Sequence, residues 1–347
     1  MKIGSFDLSG PKTFVIAELS ANHGGSIEIA RRTVEAAKEA GADAIKLQTY
    51  TADTITLDCR TPDFVISGGT LWDDTTLYEL YQKAHLPWEW HEELFRHARE
   101  VGLEVFSSPF DKTAVDFLEQ FDPCAYKIAS FEITDYELIR YAAAKGRPMI
   151  ISTGIATIQE IQDAVDICRE EGNDDIVLLK CTSSYPAPPE EANLLTIPSL
   201  RETFGVVSGF SDHTLGIVAP VTAVALGAKV IEKHFILDKS VGGPDAAFSL
   251  DQKEFAQMVD AIRSAEKMLG QVDYTMNESK KKNRRFSRSL YVAQEIRRGE
   301  PFTERNVRSV RPGYGLHPRY LPKILGRKAT ADLPKGTPLK FSHIEGF

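Results

Sequence analysis

No stretch of this 347-residue chain approaches the roughly 20 consecutive apolar residues of a membrane span, so no membrane contact is expected. The opening MKIGSFDLSGPK has no apolar core of the signal-peptide kind, which makes a cytoplasmic protein the expectation. Cysteine is scarce. Cys59, Cys124, Cys168 and Cys181 show no CxxC and no paired spacing, which argues against a disulfide framework or a zinc knuckle and for reduced thiols. No GxGxxG follows any apolar segment, so the usual sign of a dinucleotide-binding turn is missing. Basic residues are sparse in most of the chain. Of 41 Lys and Arg and 49 Asp and Glu, 17 and 5 lie beyond residue 279, leaving 24 basic and 44 acidic before it, a net −20. An acidic body therefore precedes a basic segment. Electrostatic docking of the two parts is one reading of this asymmetry. Nucleic-acid binding is the other, disfavoured because the basic residues are dispersed and carry no recognised motif, so no nucleic-acid partner is expected.

What the chain does have is alternation. Short apolar segments, FVIAELS (14–20), AIKLQTY (44–50), EVFSSPF (104–110), AYKIASF (125–131), PMIISTG (148–154), IVLLKCTS (176–183), VVSGFSDH (206–213) and VIEKHF (230–235), are separated by amphipathic stretches such as EIARRTVEAAKEAG and IQEIQDAVDICREEG. Several of these stretches end in glycine, the expected helix stop. Eight strand–helix units in about 270 residues predict a (β/α)8 TIM barrel, with a doubly wound α/β sheet as the less economical alternative. Residues 51–85 form a long excursion after the second strand, on the face where barrels do chemistry. Residues 271–287 are polar and basic and read as a linker between a barrel of residues 1–270 and a small β-rich domain of residues 288–347. Within the latter, EIRRGEPFT (295–303) and DLPKGTPLK (332–340) share an apolar-x-basic-Gly-x-Pro-apolar pattern, an internal pseudo-repeat.

In a barrel, polar residues at the C-terminal ends of strands are the catalytic candidates. Here nearly every strand supplies them: Glu18; Lys46 and Gln48; Ser108; Lys127, Ser130 and Glu132; Ser152; Ser183 and Tyr185; Ser211 and His213; Glu232, Lys233 and His234; and Asp245 in the loop beyond. A single strand-end serine is usually a helix cap. Two lysines inside strands are another matter, since burying them without anionic partners is costly. Ringed by hydroxyls, they make a phosphate or carboxylate pocket. The string SGFSDHTLG (208–216) sets Ser211, Asp212 and His213 side by side, but in a strand Asp212 points away from the other two. No serine–histidine–aspartate relay results, so His213 needs a partner from elsewhere. His234, ending the adjacent strand, can share a divalent cation such as Mn²⁺ or Mg²⁺ with it, leaving an open Lewis-acid site. A class II aldolase or metal hydrolase would use the same histidines but has little use for both lysines. A non-catalytic carbohydrate-binding protein would need neither.

The ordered motifs AELSANHGG, IKLQTY, SSPFD, YKIASFE, ISTGIAT, KCTSSYPAP, GFSDHTLG and IEKHFILD…GGPD resemble the sialic acid synthase family, and the tail SRSLYVAQEIRRGEPFTERNVRSVRPG resembles its C-terminal antifreeze-like (SAF) domain. The resemblance covers essentially the whole chain. It implies condensation of phosphoenolpyruvate with a 2-acetamido sugar and water, giving a nine-carbon 2-keto acid and phosphate. The excursion and KCTSSYPAP look most like the branch that makes pseudaminic acid, whose acceptor is 2,4-diacetamido-2,4,6-trideoxy-β-L-altropyranose. N-acetylneuraminate or legionaminate synthesis from a related sugar is the alternative. N-acetylneuraminate synthases carry asparagine where Ser183 stands, which puts N-acetylmannosamine in doubt. The resemblance further implies metal ligation by His213 and His234. It implies phosphoenolpyruvate contacts from Lys46, Ser108, Lys127, Ser130, Ser152, Ser183 and Ser211, and acceptor contacts from Glu18, Gln48, Glu132, Tyr185 and Asp245. Finally it implies a domain-swapped homodimer in which Arg288 reaches the partner's site. The long loop holding Trp72, Leu77 and Tyr78 is expected to supply both an apolar wall for the 6-deoxy end of the acceptor and polar partners for its 4-acetamido group.

Overall fold

The computed structural model describes residues 1–67, 73–182, 184 and 186–347. They divide into two compact units, Met1–Gly270 and Gln271–Phe347. The first unit is a closed barrel of eight parallel strands: β1 (Phe14–Glu18), β2 (Ala44–Thr49), β3 (Glu104–Pro109), β4 (Tyr126–Ile128), β5 (Met149–Ser152), β6 (Ile176–Cys181), β7 (Val207–Asp212) and β8 (Val230–His234), with β8 closing onto β1. All eight apolar segments contain strands, each shorter than its segment, chiefly because the C-terminal end turns out into a loop.

Period-two alternation sorts every strand residue to one side of the sheet. Phe14, Ile16, Ala44, Phe106, Ala125, Ile150, Val177, Leu179 and Val230 form one cluster inside the barrel, and Ile3 and Leu8 from the N-terminal hairpin join it. The next inward positions toward the C-terminal end are polar on every strand but β6, which has Cys181: Glu18, Lys46, Gln48, Ser108, Lys127, Ser152, Ser211, Glu232 and His234. The interior thus changes from oil to charge within two residues along the strands. Outward strand residues, Val15, Ile45, Leu47, Tyr126 and Phe210 among them, pack against the helices. The polar residues that face outward are structural. Asp212 pairs with Lys233 in a fully buried ion pair, and Lys233 also donates to Thr214 O at 2.6 Å. Ser107 and Thr49 bond each other at 2.6 Å, and Thr49 meets His91 at 2.8 Å. Lys180 donates to the adjacent Cys181 carbonyl. No helix among the described residues is long and apolar enough to cross a membrane.

In the second unit, β9 (Ser289–Val292) and β10 (Val307–Val310) form an antiparallel ladder over a core of Leu290, Val292, Ile296, Phe302, Val307, Ile324, Leu333, Leu339 and Ile344. The pseudo-repeat is real in three dimensions. Ile296 and Leu333, equivalent in the two copies, bond to each other reciprocally, N to O at 3.0 and 2.7 Å. Gly299 and Gly336 both turn with positive φ, 85° and 88°. Phe302 and Leu339 are both buried. The segment read as a linker contains a short helix, Glu278–Asn283, started by Asn277 as its cap.

Gly209 marks an inward position on β7 where no side chain fits: an added Cβ would lie 2.4 Å from Val230 O and 2.7 Å from Leu179 Cδ2. A Gly209→Ala substitution is expected to destabilise the barrel by about 1–3 kcal/mol, the usual range for overpacking. Urea unfolding followed by circular dichroism would read this as a lower midpoint, and an unchanged midpoint would show that β7 and β8 can separate freely.

Candidate active site

Lys46 lies at the mouth of the barrel between two carboxylates, 3.0 Å from Glu18 and 3.3 Å from Glu232. Lys127, on the other side of Glu232, is 3.9 Å from it and donates to Ser152 Oγ at 2.7 Å. All four charged groups are buried. Register brings them together, with Glu18 opposite Lys46 and His234 opposite Glu18. Burial works against the charge of Lys46, but Glu18 and Glu232 outweigh it and raise its pKa. Burial lowers the pKa of Lys127, with Glu232 opposing. Burial pushes Glu232 upward, yet Lys127 and Lys46 together hold it well below the usual carboxylate range. Glu18 goes the other way: burial raises it, with Lys46 opposing and the charge of Glu232 adding to the rise.

Ser211 donates to Glu232 at 2.9 Å, and His213 Nδ1 donates to Thr182 O at 2.7 Å. With Asp212 outside the barrel, the three adjacent residues form no relay. Ser130 accepts from Gly154 N at 2.6 Å. Among the described residues, Ser108 Oγ, Glu132 Oε2 and His234 Nδ1 are buried without a hydrogen-bond partner. Buried polar atoms left unsatisfied in one place mark where a ligand supplies the missing bonds.

Beside this floor is a cavity of about 440 Å³. Ser20, Gln48, Glu132, His234 and Asp245 give it polar atoms, and Tyr50, Ile55, Leu80, Tyr81, Phe110, Phe131 and Phe248 give it an apolar wall. The helix Leu77–Ala84 supplies part of that wall. Its capping box, Thr76 with Glu79, fixes where it starts and so which face turns inward. That face is Leu80, Tyr81 and Ala84; Leu77 and Tyr78, expected from the sequence, do not line the cavity, and Tyr78 OH instead bonds Asp53 at 3.0 Å. Trp72, Ser183 and Tyr185 lie outside the described residues. Arg288 belongs to the second unit, where it is exposed and donates to Ser309 O at 2.9 Å.

Sequence reasoning assigns Glu232 no role of its own, although it links both lysines. The available sign is its place two residues before His234, on the same face of the same strand.

His213 and His234 suit a divalent cation. Their ring centroids are 5.2 Å apart. Burial drives both to a pKa of about 3, so both are neutral at physiological pH. Donation from Nδ1 makes Nε2 the unprotonated nitrogen of His213, and the buried Nδ1 of His234, without a hydrogen bond, lies 3.7 Å from Asp245 Oδ2. No cluster of three His, Cys, Asp or Glu able to hold a metal occurs among the described residues. A bound cation would therefore draw its remaining ligands from water and substrate.

Paired lysines, hydroxyls and carboxylates at the mouth of a parallel barrel, next to a cavity of about 440 Å³, define a barrel enzyme with a charged site. The chain belongs to the NeuB family, whose model matches residues 33–274, and a SAF domain follows at residues 287–345. It is 54% identical to the pseudaminic acid synthase of Campylobacter jejuni, covering 98% of each chain, and 50% identical to that of Helicobacter pylori, covering 97% of this chain and 99% of the other. The N,N′-diacetyllegionaminic acid synthase of Legionella pneumophila is more distant, 37% identical over 96% of this chain and 94% of the other. A solved N-acetylneuraminic acid synthetase from Leptospira borgpetersenii, in complex with citrate, is 30% identical with a TM-score of 0.73, covering 82% of this chain and 94% of that one.

Glu132 offers a stability test of the site. Burial raises its carboxyl from 4.5 to about 7, with Lys127 opposing. Between those values the folded chain holds a proton that the unfolded chain has released, so folding is favoured at the acid end and this contribution declines as pH rises from about 4.5 to 7. Glu132→Gln should remove that slope. Denaturant unfolding at several pH values would show it, and parallel curves for wild type and variant would overturn the assignment.

Proposed function

We propose that the chain is a pseudaminic acid synthase, condensing phosphoenolpyruvate with 2,4-diacetamido-2,4,6-trideoxy-β-L-altropyranose and water to give pseudaminate and phosphate. The observation that carries this reading is the paired Lys46 and Lys127 beside a cavity, lined by Gln48, Glu132, His234 and Asp245, with one polar and one apolar side. The identity to pseudaminic acid synthases over nearly the full chain supports the acceptor.

In this reading Lys46, Lys127, Ser108, Ser130, Ser152, Ser183 and Ser211 hold phosphoenolpyruvate by its phosphate and carboxylate. Gln48, Tyr185 and Asp245 hold the acceptor, and the wall of Ile55, Leu80 and Tyr81 receives its 6-methyl end. His213 and His234 would hold a divalent cation, which when bound supplies Lewis-acid polarisation of the sugar aldehyde. The enol carbon attacks the aldehyde carbon, and positive charge grows at C2 of the former phosphoenolpyruvate. Carboxylates beside an anion pocket weaken anion binding in the ground state, but they stabilise that developing cation, which is where selective stabilisation accelerates the reaction. The aldehyde oxygen gains a proton and the attacking water loses one before phosphate leaves by C–O cleavage. Glu18 and Glu132, both raised by burial, are suited to exchange these protons near neutral pH.

Purified protein with phosphoenolpyruvate and Mn²⁺ should release phosphate at least about tenfold faster with the diacetamido sugar than with N-acetylmannosamine, the scale of one well-read substituent. A chelator should suppress release. Equal rates with both sugars would remove the acceptor assignment.

We also propose a domain-swapped homodimer in which each SAF unit serves the partner's barrel through Arg288, a reading supported by the family resemblance and the opposed charges of the two segments. Lys127→Ala should raise the KM for phosphoenolpyruvate by about 10- to 100-fold, the weight of a lost charged hydrogen bond, with little change for the sugar. At phosphoenolpyruvate well below the raised KM, where Lys127→Ala alone turns over slowly, subunit exchange with an inactive Arg288→Ala protein should raise the rate above the sum of the two, since one site combines the intact Arg288 of one chain with the intact Lys127 of the other. No recovery despite proven exchange would refute the swap.

A further inference from the structure

Four non-glycine residues among those described have left-handed backbone: Ser20, Asp74, Asp122 and Asn193. Asp and Asn adopt it comparatively easily; serine does so less readily. Ser20 has φ 48°, is buried, and lies two residues beyond β1 on the wall of the 440 Å³ cavity. Strain of this kind persists only where the surroundings hold it. The hydroxyl identifies what holds it. Ser20 Oγ donates to Asp245 Oδ2 at 2.5 Å and accepts from Gln48 Nε2 at 3.1 Å. The other proton of that amide nitrogen goes to Glu18 Oε1 at 2.9 Å.

A glutamine side chain has two donors and one acceptor oxygen. With both N–H groups committed to Ser20 and Glu18, Gln48 can offer the cavity only its carbonyl oxygen. Asp245 has spent Oδ2 on Ser20 and retains Oδ1. Resting on the acceptor reading above, we infer that Ser20 is a positioning residue that sets the hydrogen-bond polarity of the acceptor cavity. It leaves Gln48 only its carbonyl oxygen to present, beside an Asp245 carboxylate that, ionised, can only accept, so the cavity selects a sugar carrying two donors, an acetamido N–H and a hydroxyl or second acetamido N–H. Without the hydroxyl the Gln48 amide keeps only its bond to Glu18, and the N–H released from Ser20 is left to face the ligand.

The test uses Ser20→Gly, since glycine is at ease with positive φ and the fold is retained, and Ser20→Ala, which removes only the hydroxyl. Each is assayed by phosphate release with the diacetamido sugar and with analogues in which an ester oxygen replaces one amide N–H. Wild type should disfavour at least one analogue by about tenfold or more in kcat/KM, the cost of leaving a buried acceptor unpaired. Both variants should raise the KM for the diacetamido sugar, leave that for phosphoenolpyruvate within about twofold, and shrink the ester-for-amide discrimination severalfold. An unchanged discrimination ratio in both variants overturns the inference, even if KM rises. A wild type that discriminates against neither analogue overturns it too. A wild type that releases no phosphate with the diacetamido sugar refutes the functional reading first, and this inference with it.

Discussion

The buried alternation of charge, Glu18, Lys46, Glu232, Lys127, is the constraint on which the rest of the site depends. None of the four groups is tenable alone in the barrel interior, where an unpaired charge costs several kcal/mol. Neighbouring charges keep Lys46 and Glu232 ionised against burial, while burial dominates at Glu18 and Lys127. The network therefore requires β8, β1, β2 and β4 to present their C-terminal ends at matching heights, and barrel closure between β8 and β1 supplies that match. The apolar layers beneath, sealed by Ile3 and Leu8, keep water from reaching the charges from below.

From that floor the arrangement of the mouth is determined. The histidines sit on β8 and just beyond β7, and their neutrality results from the same burial that binds the lysines to their carboxylates. The cavity beside them is not carved from the barrel itself. Its apolar wall comes from segments beyond the strand ends: the Leu77–Ala84 helix, Phe110, Phe131 and Phe248. The buried charges are thus held by strands, and the apolar wall of the cavity by segments beyond them.

Much of this was legible in the sequence, for a physical reason. Period-two alternation in a barrel puts chemistry-bearing residues two apart on one face, so Lys46 with Gln48, and Ser211 with His213, could be paired by spacing alone. The same rule placed Asp212 outside. What spacing cannot supply is register between strands, and Glu232 owes its importance to register: it stands across from Ser211 on β7 and next to the Lys46 of a strand nearly 190 residues earlier. Helix phase was the second gap. The capping box at Thr76 is present in the sequence, but an excursion treated as a loop has no phase, and so Leu77 and Tyr78 are expected where Leu80, Tyr81 and Ala84 face the cavity. The left-handed turn at Ser20 carries no signal in the sequence, because serine is not the residue such a turn ordinarily uses.

The second unit is built from two like halves, yet neither is a building block. Ile296 of the first copy and Leu333 of the second satisfy each other's backbone groups, Gly299 N bonds Ala329 O from the approach to the second copy, and Gly336 N reaches back to Val292 O. Cut between the copies, each fragment would expose its half of one shared core together with amides that only the other half can pair. A unit so built has little to gain from partial folding, and a nascent chain must expose both copies before the shared ladder bonds can form.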